Sequence, residues 1–121
     1  CATCHRLGEE GHAVAPDFKT VRDRTPEALL VHILDPNREV APAYVSYDIV
    51  TADGKLATGI IALETETSIT LRRAEGVEET ILRSQVQRLE SSSMSLMPEG
   101  LEKDLSLEEI ADLIEAIRAG G

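Results

Sequence analysis

The spacing of hydrophobic residues changes along the chain, from helical to alternating and then back to helical. In "TPEALLVHILDP" the apolar residues recur at helical spacing. Thr25 is a suitable N-cap, Pro26 fits the first helical position, and Pro36 ends the segment. We predict an amphipathic helix here, with a buried face formed by Leu29, Leu30, Ile33 and Leu34.

From Tyr44 onward the pattern favours strands. "YVSYDIVTADGKLATGIIALE" predicts two strands around a turn at Asp53-Gly54, and "SITLRRAEGVEETILR" predicts two more around Glu75-Gly76. A short fifth strand is predicted near residues 86–91. Because an isolated hairpin is only marginally stable, we expect one antiparallel unit, a curled sheet or small barrel.

The end of the chain predicts the clearest helix. After the irregular stretch "SSSMSLMPEGL", Ser106 and Glu109 form a capping-box pattern, and Gly120-Gly121 is a stop signal. The apolar stripe of this helix consists of Leu107, Ile110, Leu113, Ile114 and Ile117.

Length and charge narrow the classes of function. A chain of 121 residues fits one domain. The net charge of −10 argues against nucleic acids or anionic membranes as partners. The sequence contains no apolar run long enough to span a bilayer, so no membrane span is predicted. With only two Tyr and one Phe, the core must be aliphatic or be completed by a planar cofactor.

The chain opens with "CATCH", in which Cys1 and Cys4 are one helical turn apart and His5 follows at once. Two thiols at this spacing can form thioethers to the two vinyl groups of one haem, and the histidine can then ligate the iron. We interpret the motif as an attachment site for one covalent haem c per chain. A polar loop containing Gly and Pro follows it, through about Val21.

Three other chemistries compete for these residues. A zinc site needs four ligands in two pairs, and the sequence offers no further cysteines, only His12, His32 and carboxylates. A thioredoxin-like dithiol expects a βαβ setting that the following sequence lacks. A structural disulfide is a further alternative, and a lipidated N-terminal cysteine would leave Cys4-His5 unexplained.

A haem held by His5 needs a sixth iron ligand, and Met97 is the leading candidate. It lies in the irregular stretch, where Pro98 biases it toward an extended backbone. Met94 is the close competitor, and His12 and His32 are weaker candidates. The alternative role of Met97 is to fill a gap in the core.

Several motifs in order resemble one known family. "CATCH", "APDF", "LLVHILDPNREVAPAYVSY", "ADGKLATGII" and "SLMPEGL" extend over essentially the whole chain. Together they resemble the haem-binding domain of the Pirellula/Verrucomicrobium type, a cytochrome-c-like domain. Members of that family usually have Gly-Pro-Asp where this chain has Ala15-Pro16-Asp17, so we expect a slightly different turn there.

The resemblance implies a fold and further site residues. The fold would be α+β, a single domain over residues 1–121, with cytochrome-c-like helices around the haem and an antiparallel sheet or barrel inserted at about residues 43–91. The Pro16 carbonyl would accept a hydrogen bond from His5, and Arg24 would either pair with a haem propionate or be a solvated surface arginine. The helix that normally precedes the first cysteine is missing, so we expect a fragment with the stripe of the last helix partly uncovered.

The function predicted from these observations is one-electron transfer without catalysis by protein residues. The partner would be a redox protein or a fused dehydrogenase, docked through a basic surface, and haem c attachment implies export, for example to the periplasm. One alternative is a haem-based ligand sensor or peroxidase-like domain with an open distal site. Another is a haem-free interaction module, because the strands also resemble a small Sm- or SH3-like barrel. Serines 91–93 lack a nearby histidine and acid, so no hydrolase is predicted.

Overall fold

The described chain, residues 1–21 and 24–120 of a computed structural model, consists of two antiparallel sheets, two α-helices and short 3-10 turns. Strands β1 (Arg6–Leu7) and β2 (Glu10–Gly11) form a small hairpin near the N-terminus. Helix α1 (Pro26–Leu34) follows. The main sheet and helix α2 (Leu107–Gly120) complete the chain.

The main sheet contains five strands: β3 (Val45–Thr51), β4 (Leu56–Glu64), β5 (Ser68–Arg73), β6 (Val77–Leu82) and β7 (Val86–Ser95). Their spatial order is β6-β5-β4-β3-β7, and every neighbouring pair is antiparallel. The register shifts in the β3/β7 and β4/β5 pairs. Because such bulges increase local twist, they help the sheet to curl.

A hydrophobic core is formed by buried side chains of the main sheet. Ile49 and Leu71 are completely buried, and Ile69 is almost so. Side chains from β3, β4, β5 and β6 meet there, and Val86 of β7 packs against them. The core therefore draws on all five strands, as the alternating pattern predicted; its members are Ile49, Ala57, Ile69, Leu71 and Ile81.

The two α-helices begin as their caps predict. The Thr25 hydroxyl accepts a hydrogen bond from the Ala28 amide, and Pro26 occupies the first turn of α1. At the start of α2, Ser106 and Glu109 cap each other reciprocally, through bonds of 3.2 and 3.1 Å. Both helix predictions are confirmed.

The buried faces of the helices are narrower than predicted. Leu29 and Ile33 of α1 are buried, Leu30 is half-buried, and Leu34 is 41% exposed, so its assignment to the buried face is wrong. In α2, Ile117 is buried while Leu107 is 87% exposed. The remaining stripe residues, Ile110, Leu113 and Ile114, are half-exposed, which agrees with the expected partial exposure.

The predicted cytochrome-c-like fold is wrong. The structure is a small β-rich fold with two α-helices, a five-stranded sheet and a two-stranded sheet, rather than a ring of helices around a cofactor. Before α1, the chain forms one turn, a hairpin and the 3-10 turn Phe18–Thr20, and glycines at positive φ, Gly8 and Gly11, break this region. The sheet predicted as an insertion at residues 43–91 is the main body of the protein.

Neither α-helix of the described chain has the length and hydrophobicity of a transmembrane span. This agrees with the prediction made from the hydropathy of the sequence.

Candidate functional site

The "CATCH" motif forms a single helical turn. The amides of Cys4 and His5 both donate to the carbonyl oxygen of Cys1, at 3.0 and 2.8 Å. Residues one turn apart lie on the same side of a helix, so this turn is compatible with the attachment of both thiols to one ligand. Cys1 is exposed, Cys4 is half-buried, and neither is in a disulfide.

The His5 ring is oriented by two contacts. Its Nδ1 lies 2.8 Å from the carbonyl oxygen of Pro16. A carbonyl can only accept, so Nδ1 carries the proton and, in the neutral ring, Nε2 holds the lone pair. The ring of Phe18 stacks on the imidazole, with centroids 4.6 Å apart and planes inclined by 15°. Together these contacts fix the ring plane and the tautomer.

Burial lowers the pKa of His5 below its ordinary value of 6.5, although the hydrogen bond to Pro16 partly opposes this shift. Desolvation disfavours the imidazolium, so the ring stays neutral at neutral pH. A neutral imidazole with one free nitrogen is the form that ligates a metal. The electrostatics of the site therefore favour coordination through Nε2.

The loop after the "CATCH" motif folds back and is hydrogen-bonded to the motif. The amides of Val14 and Ala15 donate to the carbonyl of Cys4, at 3.0 and 2.8 Å. Gly11 passes so close to His5 that a Cβ at this position would overlap the carbonyl oxygen of His5, and its φ is +90°. Only glycine fits there without displacement of the backbone. This conformation of the loop places Pro16 next to the His5 ring.

This N-terminal region is hydrogen-bonded to the main sheet at strand β5 and at the turn between β5 and β6. The Glu75 amide, in the turn between β5 and β6, donates to the carbonyl of Thr3 at 2.6 Å. The Arg72 Nη1 atom donates to the carbonyl of Ala13 at 2.9 Å, while its Nε and Nη2 atoms bind Glu78. The motif is thus attached to the rigid part of the molecule.

Arg24 lies beside the same region and donates hydrogen bonds to two backbone carbonyls. Its Nε donates to the carbonyl of Val21 at 3.1 Å, and its Nη2 donates to the carbonyl of Phe18. These bonds cap the 3-10 turn Phe18–Thr20, which carries the ring stacked on His5. In the described chain Arg24 supports the proximal loop, and its predicted bond to a propionate stays a prediction.

The two methionines differ in their surroundings. Met94 belongs to β7 and is 51% exposed; its amide donates to the Ser92 hydroxyl, and its carbonyl accepts from the Ser46 hydroxyl. Met97 lies beyond β7 in the irregular segment and is half-buried. Only Met97 has a position outside regular secondary structure, as expected for a ligand on a loop.

Cys1, Cys4, His5 and Pro16 form one cluster, and Met97 lies outside it. None of the hydrogen bonds between described residues joins the Met97 segment to residues 1–16. The two regions are connected through packed elements: the 3-10 turn Phe18–Thr20 contacts α2, α2 contacts α1, and α1 contacts the 3-10 turn Leu101–Asp104.

Sequence reasoning missed Phe18 and Asn37. Phe18 is the single phenylalanine and follows Pro16-Asp17, which could have suggested a ring near the histidine. Asn37 binds two residues that flank Met97, more than fifty positions later in the chain. No local pattern identifies that contact.

The donor set fits a covalently attached haem. Two accessible thiols lie one turn apart, and one neutral imidazole presents a free nitrogen. A haem iron needs only axial ligands from protein, because the macrocycle supplies the other four. Among residues 1–21 and 24–120, no group of three or more His, Cys, Asp or Glu side chains is arranged to hold a bare metal ion.

Comparisons with known proteins do not identify the chain. No protein-family model matches it, and no curated protein is similar to it. The resemblance to the haem-binding domain therefore stays a prediction.

Proposed function

We propose that the chain is a c-type haem module that carries one covalently attached haem and transfers single electrons. The observation that carries the proposal is the 2.8 Å contact between His5 Nδ1 and the Pro16 carbonyl, directly after the Cys1–Cys4 turn. This contact supports a ligating role because it fixes the tautomer that leaves Nε2 available. The resemblance to the haem-binding domain of the Pirellula/Verrucomicrobium type points to the same function.

The residues of the chain have separate tasks in this proposal. The thiols of Cys1 and Cys4 would hold the cofactor covalently, each by addition of its S–H across the C=C bond of one vinyl group, which would keep the cofactor from dissociating. His5 would hold the iron through Nε2, with its ring oriented by Pro16 and Phe18, and Met97 would be the second residue to hold it. When bound, the haem iron supplies one-electron chemistry by changing between ferric and ferrous states.

Two axial protein ligands leave no open position for a substrate, so we propose electron transfer rather than catalysis. The negative charge of the protein, −10 overall, favours a redox partner or a fused dehydrogenase with a basic docking surface. Because haem c is attached outside the cytoplasm, we also propose that the chain functions after export, for example in the periplasm.

The test is a redox titration of the chain exported by cells with active haem-attachment machinery. We expect a c-type spectrum on reduction, a titration that follows a one-electron Nernst curve, and slow carbon monoxide binding to the ferrous form. Met97→Ala should open the sixth position and bind carbon monoxide readily, whereas His32→Gln should behave like the original chain.

Two results would contradict this function. Rapid carbon monoxide binding to the unmodified ferrous protein would favour the sensor or peroxidase-like alternative. A chain without any haem would favour the haem-free interaction module, whose exposed leucines on the main sheet include Leu56 and Leu63, at 62% and 60% exposure.

A further inference from the structure

One side chain that is distant in sequence from the irregular stretch forms hydrogen bonds to residues on both sides of Met97. The Ser95 amide donates to Asn37 Oδ1 at 2.8 Å, and Asn37 Nδ2 donates to the Glu99 carboxylate at 3.0 Å. Asn37 lies just after α1, while Ser95 and Glu99 lie two residues before and two residues after Met97. Met97 therefore lies at the centre of a loop, residues 95–99, whose two ends are both hydrogen-bonded to the side-chain amide of Asn37.

The chemistry of these partners requires an amide. The Ser95 N–H can only donate and the ionised Glu99 carboxylate can only accept, so the oxygen and nitrogen of the Asn37 side chain have one possible assignment. An aspartate at position 37 could still accept from Ser95. It would, however, place a second negative charge against Glu99.

Ser95 transmits this restraint to Met97. Its amide is held by Asn37, and its hydroxyl accepts a hydrogen bond from the Met97 amide at 3.0 Å. On the other side of Met97, Pro98 restricts the backbone, and Gly100, with φ of +87°, turns the chain into the 3-10 turn Leu101–Asp104. The backbone of Met97 is thus fixed from both directions.

Met94 has no part in this arrangement. Its hydrogen bonds run to Ser46 and Ser92, in β3 and β7, so it moves with the main sheet. The first residue that Asn37 binds is Ser95, so Met94 lies outside the loop that Asn37 holds.

We propose that Asn37 is the positioning residue for the second axial ligand, and that it selects Met97 over Met94 by holding residues 95–99 in one conformation. This inference rests on the proposed haem function for the identity of what Met97 binds. The restraint itself belongs to the polypeptide and is measurable without a cofactor.

The first test measures amide hydrogen exchange in the haem-free chain. Asn37→Ala removes both bonds, so exchange at Ser95 and Met97 should become about fivefold faster, the factor that corresponds to one hydrogen bond of typical net strength. Asn37→Asp should accelerate exchange as well. Unchanged exchange at both amides in Asn37→Ala would overturn the proposal.

A double variant separates the specific contact from general damage. In Asn37→Asp combined with Glu99→Gln, the donor and acceptor exchange places, since the new amide can donate to the new carboxylate. We expect this pair to restore slow exchange at Ser95 and Met97. Asn37→Asp with Glu90→Gln removes the same kind of charge elsewhere on the chain and should not; equal rescue by both pairs would overturn the proposal.

The second test uses the haem-loaded chain and the weak long-wavelength absorption band of methionine bound to ferric haem. Met97→Ala should abolish the band, Met94→Ala should keep it, and Asn37→Ala should lower the pH at which it disappears, with recovery in the double variant. A band lost in Met94→Ala but kept in Met97→Ala would overturn the selection of Met97. Absence of haem from the unmodified chain would refute the proposed function, and with it the role of Met97 as a ligand, while the exchange rates would still decide whether Asn37 holds the loop.

Discussion

The main sheet and the segments before and after it are built in different ways. Inside the sheet, Ile49 and Leu71 are fully buried, and the buried hydroxyl of Thr70 pairs with that of Thr80 at 2.9 Å. In the described residues 1–21, 24–44 and 96–120, which we name the terminal layer, four hydrophobic side chains are buried: Val14, Leu29, Ile33 and Ile117. The sheet has the order β6-β5-β4-β3-β7 and surrounds its own hydrophobic core, whereas many apolar side chains of the terminal layer are half-exposed.

The two regions differ accordingly in role: one contains the proposed ligands and the other positions them. The proposed ligands His5 and Met97 both lie in the terminal layer, where they are half-buried, whereas the competitor Met94 belongs to β7. The sheet fixes their backbones from opposite sides, through Arg72 and Glu75 at the motif and through Ser95, the last residue of β7, before Met97. In the proposed function, the ligands lie on loops that the sheet positions.

The largest predicted effect is on the free energy of unfolding, and it is tested by the same Leu→Ala substitution in the main sheet and in the terminal layer. Leu71→Ala should lower the free energy of unfolding by about 2–5 kcal/mol, because it leaves a cavity where a completely buried side chain was packed. Leu113→Ala, at a half-exposed site of α2, should cost roughly 1 kcal/mol. Urea unfolding followed by circular dichroism measures both, and equal losses would contradict the comparison.

An intermediate effect concerns the contact between the two regions. Arg72→Ala should loosen the N-terminal loop, so that exchange at the Val14 and Ala15 amides becomes about tenfold faster. Arg73→Ala is the matched control, because the adjacent Arg73 binds Glu79 within the sheet. If both variants changed the loop equally, the hydrogen bond from Arg72 to Ala13 would not be what couples it to the sheet.

The smallest effect tests the surface of the sheet. The hydrogen bond from Lys55, at 2.6 Å, holds the pKa of Glu79 below its ordinary value of 4.5, with Arg73 contributing less. The folded state therefore favours the ionised carboxylate, and this stabilisation is present above the ordinary pKa and is lost as the pH falls through the folded pKa.

Glu79→Gln should thus reduce stability at neutral pH by about 0.2–1 kcal/mol, the range for exposed ion pairs. The difference from the unmodified chain should shrink toward acid pH. Urea midpoints at a series of pH values provide the measurement, with Glu66→Gln as an exposed control. A difference that grew on acidification would contradict the assignment.

Local structure was predictable from the sequence because its signals are local. Thr25, Ser106 and Glu109 cap the helices as predicted, and the turns at Asp53-Gly54 and Glu75-Gly76 join the predicted strands. The fifth strand extends to Ser95, beyond its predicted end near Ser91, since the serines there carry little hydrophobic pattern. The contact between His5 and Pro16 was implied by the resemblance and is present.

The architecture was not predictable because it depends on which region holds the core. Reasoning from "CATCH" placed helices at the centre, yet the completely buried Ile49 and Leu71 lie in the sheet. Asn37 was missed for a similar reason, because its partners Ser95 and Glu99 are distant in sequence. Such contacts arise from topology and leave no periodic signal.

The intact mass of the exported chain under denaturing conditions tests the central claim most directly. We predict a mass gain of one haem in the unmodified protein, retained after acid extraction, and no covalent haem when Cys1→Ala and Cys4→Ala are combined. An unmodified mass, in cells that mature a control c-type cytochrome, would contradict the account.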